Sequence, residues 1–103
     1  MAEKDIQREI LDFLLAHPKV TLVFQNDHRN QRARKFGAVG KYRPKGLPDI
    51  IGCLSNGQFL AIEVKDTLGR VSEEQCGILR RISDGGGLAG VCRSIEDASR
   101  LLG

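Results

Sequence analysis

With 103 residues, 41% hydrophobic and 28% charged, the chain has the size and composition of one water-soluble domain with a small core. No apolar run approaches the roughly 18 residues of a membrane span, and the polar start, Met1 to Asp5, is unlike a secretory signal. Cys53, Cys76 and Cys92 are odd in number and lack CxxC spacing, so they are read as reduced, mostly packed thiols of a cytoplasmic protein rather than a disulfide or zinc framework.

In chain order, Ile6, Ile10, Leu11, Phe13, Leu14 and Leu15 recur at helical spacing and predict an amphipathic helix over 3–16. Pro18 ends it near His17. Val20 to Gln25 is β-branched and aromatic, the pattern of a strand. Residues 26–46 lack apolar periodicity and read as a long loop, with room for a short strand near 36–43. This stretch carries the charge asymmetry. Residues 28–48 contain Arg29, Arg32, Arg34, Lys35, Lys41, Arg43 and Lys45 and no acid, whereas the remainder holds nine basic and thirteen acidic residues. The overall +3 therefore hides a local cationic surface suited to phosphate. A solvated loop that keeps the protein soluble is the plainer explanation.

Leu47 to Leu54 and Phe59 to Lys65 flank Ser55-Asn56-Gly57 and predict a β-hairpin. A connector over 67–71 follows. Ser72 is a cap for a helix reaching about Ser83, with Glu73 and Glu74 favourable in its first turn. The glycines at 85–87 end it. Leu88 to Arg93 is a last strand, and Ser94 caps a closing helix from Ile95 to Leu102. The order is αβββαβα in a single domain spanning 1–103, without internal repeats.

Within the hairpin, Asp49 heads one apolar run, and Glu63 and Lys65 stand inside the other. Charges in strands that otherwise read as buried are costly unless a partner offsets them. Register decides whether the carboxylates meet, because a one-residue slip reverses every side chain. A three-residue loop with Gly57 in the left-handed position pairs Leu54 with Gln58 and puts Asp49 opposite Glu63, with Lys65 on the same face. A two-residue Asn56-Gly57 turn instead pairs Asp49 with Val64 and points it away. The sequence permits both, and a bulge near Pro48 would also restore the first geometry. In the first register, Mg2+ or Mn2+ turns carboxylate repulsion into coordination by hard oxygens. Lys65 can then hold or deprotonate a water, or neutralise transition-state charge on a phosphate. The plainer reading is an edge hairpin with a Glu63–Lys65 surface pair.

Pro48-Asp49, Glu63-Val64-Lys65 and the element order resemble the PD-(D/E)XK nuclease superfamily, whose restriction-endonuclease-like α/β (α+β) fold has a central mixed sheet flanked by helices. More narrowly, Gly46-Leu47-Pro48-Asp49-Ile50-Ile51-Gly52 and Phe59-Leu60-Ala61-Ile62-Glu63-Val64-Lys65 resemble the virus-type replication-repair nuclease (VRR-NUC) domain. Gly69-Arg70-Val71-Ser72-Glu73-Glu74-Gln75 and Gly86-Gly87-Leu88-Ala89-Gly90-Val91 continue the likeness over nearly the whole chain. The resemblance implies Asp49, Glu63 and the Val64 backbone carbonyl as metal ligands and Lys65 as the catalytic lysine. It implies Gln75 as a supporting catalytic residue, and an acid in the first helix, Glu3 before Glu9. Gln75 also stands three residues after Ser72, where a capping box would use it. His28 and His17 read as a surface residue and a helix-end residue.

The expected activity is a Mg2+- or Mn2+-dependent DNA endonuclease. Phosphate contacts from the basic segment position a duplex without reading its sequence, so branched DNA such as four-way junctions is the expected substrate. A homodimer making paired cuts follows by analogy with junction resolvases of the superfamily. The alternatives are a binding module that does not cleave or needs a partner, and a flap- or RNA-directed nuclease.

Overall fold

The computed structural model describes residues 1–26 and 43–103. Its elements are α1 (Glu3–Leu15), β1 (Val20–Gln25), β2 (Ile50–Leu54), β3 (Phe59–Val64), α2 (Glu73–Asp84), β4 (Leu88–Cys92) and α3 (Ile95–Leu102). This is the αβββαβα order expected from the sequence. The four strands form one sheet in the order β1-β2-β3-β4. The first three are antiparallel, and β4 runs parallel to β3 after the α2 crossover. The suggested strand near 36–43 lies almost entirely outside the described residues. Among the described residues no helix is long and apolar enough to cross a membrane.

The hairpin adopts the three-residue loop. Leu54 N–H donates to the Gln58 carbonyl and Gly57 N–H to the Leu54 carbonyl, each at 2.8 Å. Gly57 takes φ +89°, a conformation that costs glycine no Cβ clash. Asn56 Oδ1 accepts from Gln58 N–H at 2.9 Å and stiffens the turn. Pairing then runs Cys53–Phe59, Gly52–Leu60, Ile51–Ala61 and Ile50–Ile62. One step further, Asp49 falls opposite Glu63.

The expected first strand of the hairpin is shortened. β2 begins at Ile50 rather than Leu47. Pro48 has no N–H to donate, and beyond the Ile50–Ile62 pair the N–H of Val64 goes to the Asp49 side chain.

Alternation along the strands sorts the two faces. Ile50, Leu54, Leu60, Ile62, Val64 and Cys92 point to one side and bury with Ile6, Ile10 and Leu14 of α1 and Ala98 and Leu102 of α3. α2 packs on β3 and β4, with Ile78 and Leu79 buried outside that main cluster. Glu63 has the opposite parity from Ile62 and Val64, so it faces the α2 side. The three cysteines are free, but Cys76 is exposed rather than packed. The inward stripe of α2 runs through Gln75, Ile78, Leu79 and Ile82, and helical spacing turns Cys76 to solvent.

Candidate active site

The site lies where β2 begins and β3 ends. Its first part is a brace on the main chain of Pro48 and Asp49. Asn26, just past β1, donates its N–H to the Asp49 carbonyl at 2.7 Å and its Nδ2 to the Pro48 carbonyl at 2.9 Å. Arg43 donates to Asn26 Oδ1 at 2.9 Å. On the other side, Gly46 has φ +86°, and a Cβ there would stand 2.6 Å from the Glu74 carbonyl carbon and 2.8 Å from the Gln75 nitrogen. Only glycine lets this segment lie directly on the first turn of α2. The Asp49 carboxylate is thereby aimed at β3, where Oδ2 accepts the Val64 N–H at 2.9 Å.

Glu63 is the buried charge of the described residues, with 2% exposure. Its Oε2 accepts from Gln75 Nε2 at 2.9 Å and lies 3.6 Å from Lys65 Nζ. Its Oε1 is buried with no donor. Burial pushes the Glu63 carboxyl from 4.5 up to about 8, helped by the Asp49 charge and by hydrogen bonding of the protonated acid to Asp49; Lys65 opposes the rise and Glu3 adds to it. Two carboxyls that can hydrogen-bond only by retaining a proton, one with an oxygen lacking any donor, form a pair that a divalent cation can relieve.

Gln75 makes the capping-box bonds and a bond to Glu63 at once. Its Oε1 accepts the Ser72 N–H at 2.9 Å while its own N–H donates to Ser72 Oγ at 3.1 Å, completing the capping box. The remaining Nε2 reaches Glu63. The amide is thus oriented by the helix start before it touches the carboxylate.

Asp49, Glu63, Lys65 and Gln75 are brought together. Glu3, half-buried in the first turn of α1, is near enough for its charge to act on Glu63. Glu9 is exposed. The Val64 side chain is buried in the core, with its N–H already taken by Asp49. Of the basic residues, Lys45 is exposed and Arg43 half-buried against Asn26. Arg29, Arg32, Arg34, Lys35 and Lys41 lie outside the described residues, as does His28. His17 is the expected helix-end residue: its Nδ1 accepts from Lys19 N–H and its ring meets Phe13 edge-on. Sequence reasoning missed Asn26, which it assigned to the loop; an Asn directly after a strand was the available signal.

Among the described residues no three His, Cys, Asp or Glu side chains gather as a ligand set. The chemistry present, two hard carboxylates and an adjacent main chain, suits Mg2+ or Mn2+, which keep several waters, rather than zinc.

No curated protein matches the sequence. A solved structure described as a VRR_NUC domain protein superposes with TM-score 0.68 at 16% identity, covering 99% of this chain and 85% of that one; the likeness is one of fold. The VRR-NUC domain model matches residues 22–96, which include Asp49, Glu63, Lys65 and Gln75. The fold, the matched span and the residues gathered at the end of β3 agree, and the chain belongs to the VRR-NUC domain family, nucleases of the PD-(D/E)XK type.

Proposed function

We propose that residues 1–103 act as one Mg2+- or Mn2+-dependent endonuclease domain that hydrolyses phosphodiester bonds in branched DNA, four-way junctions included. One observation carries it: Glu63 is buried with an oxygen lacking a donor, directly beside Asp49 and Lys65. A protein that only binds DNA gains nothing from that costly arrangement.

Asp49, Glu63 and the Val64 carbonyl would hold the cation, and Glu3 adds negative charge from α1. The bound ion would polarise the phosphate and lower the pKa of water. Gln75 holds Glu63 Oε2 in place, while Oε1 has no donor of its own. Lys65, whose side chain is 15% exposed, reaches from the buried carboxylate towards solvent. There it holds the attacking water or neutralises charge developing on the phosphate. Lys45 and Arg43, with Arg29, Arg32, Arg34, Lys35 and Lys41, supply the cations that position the DNA backbone.

A homodimer fits the exposed sheet face. Leu22, Phe24 and Phe59 are 58%, 49% and 45% exposed, and strand pairing sets them beside Cys53 and Ile51 as one apolar surface.

The test is cleavage of labelled four-way junction, flap and linear duplex in Mg2+ or Mn2+, with Glu63→Ala as control. Paired junction cuts that vanish in the control are expected. Binding without cleavage in either metal would refute the nuclease reading and favour a binding or partner-activated module.

A further inference from the structure

Directly after Lys65, the chain makes a tight turn that serves no part of the core. Asp66 Oδ1 accepts the N–H groups of Leu68 and Gly69 at 3.1 and 2.6 Å. From the link between β4 and α3, the Arg93 guanidinium donates to the carbonyls of Asp66 and Gly69 at 2.5 and 2.8 Å. Arg93 is itself anchored, its N–H donating to Asp97 Oδ2 at 2.8 Å. The turn also lies against the catalytic lysine: a Cβ on Gly69 would stand 3.3 Å from Lys65 Cδ. At its tip Leu68 is 91% exposed, the most exposed large hydrophobic residue described, with Arg70 exposed two residues on.

A lone exposed leucine is ordinary. One held at the apex of a turn clamped on both sides, whose Gly69 packs against the Lys65 side chain, is placed to touch substrate bound at Lys65. We infer that Leu68 is a wedge that inserts against nucleobases beside the scissile phosphate, with Arg70 taking a neighbouring phosphate, and that it selects DNA whose stacking is already broken. This rests on the nuclease reading above and adds its selectivity element.

The physical basis is the energy of unstacking. Apolar side chains enter base steps only by separating them, which is costly in continuous duplex and least costly where a base is mismatched or already single-stranded. The same wedge thus favours a branch point over linear DNA. Burying one leucine side chain corresponds to a preference of about tenfold or more. Arg93 acts as a positioning residue, since its guanidinium donates to the main chain of the turn.

The experiment places 2-aminopurine at the branch of a four-way junction and adds the full chain in Ca2+, following base fluorescence and binding by anisotropy. Wild type and Leu68→Met should raise the fluorescence and bind the junction over linear duplex. Leu68→Ser should lose the rise and about tenfold of that preference, with an unchanged melting temperature. A Leu68→Ser protein that retains both overturns the wedge, as does one whose only change is weaker self-association. Cleavage in Mg2+ or Mn2+ separates the two proposals. Junction opening through Leu68 without cleavage leaves the wedge standing and removes the nuclease. Cleavage with selectivity indifferent to Leu68→Ser does the reverse, and failure to bind either DNA overturns both.

Discussion

Replacing Glu63 by Gln should stabilise the metal-free protein at high pH and abolish its response to Mg2+. Glutamine keeps the shape: one oxygen still accepts from Gln75, and the new amide N–H group can donate to Asp49. It removes the buried charge. The Glu63 carboxyl sits at about 8 in the folded protein against 4.5 when solvated. Below 4.5 both states are protonated and the folded state bears no penalty. Between 4.5 and about 8 the unfolded chain has released its proton and the folded chain has not, so stability falls as pH rises. Above 8 the loss is complete. At about 1.4 kcal/mol per pH unit, that interval sets a ceiling of about 5 kcal/mol. Part of the effect is shared with Asp49, and even half of it exceeds most surface substitutions. Chemical denaturation in EDTA at pH 5, 7 and 9 reads it directly. The wild type should lose stability relative to Glu63→Gln across this range, and Mg2+ should restore it at pH 9 in the wild type alone, because a ligand bound only by the folded state stabilises it. Parallel pH profiles for the two proteins would refute the assignment of a strained, proton-retaining carboxylate pair.

Lys65→Ala should lower cleavage by about a hundredfold or more while leaving the melting temperature and DNA affinity nearly unchanged; full cleavage would remove the lysine from the mechanism. Gln75→Ala should cost about 1–2 kcal/mol of stability through the lost cap and the bond to Glu63. Ser72→Ala, which loses only the cap, should match it in part of the stability loss but retain cleavage, and equal activities would reduce Gln75 to a capping residue. Neutralising Arg32, Arg34 and Lys35 together should weaken DNA binding and flatten the dependence of affinity on salt by about three phosphate contacts; an unchanged slope would show that this segment does not hold the backbone.

Local chemistry determined a great deal by itself. Strand β1 falls at Val20–Gln25 and α3 at Ile95–Leu102 as expected, because β-branched runs, the Ser94 cap and helical apolar spacing act over a few residues. Asp49, Glu63 and Lys65 were legible for a related reason: charges inside apolar runs contradict their surroundings, and Glu63 is indeed buried. Turn chemistry left two registers open. Only the folded hairpin, with the Leu54–Gln58 bond and Gly57 in the left-handed region, put Asp49 opposite Glu63. Tertiary structure also decided what bridges distant positions. Asn26 reaches Pro48 across 22 residues, Gln75 reaches Glu63 across 12, and Arg93 reaches Asp66 across 27. Gln75 shows why: its capping role follows from spacing within one helix turn, but the orientation of its remaining N–H group depends on where α2 packs over β3. Such bonds have no signature in local periodicity, since they form only once the sheet order has set which ends meet.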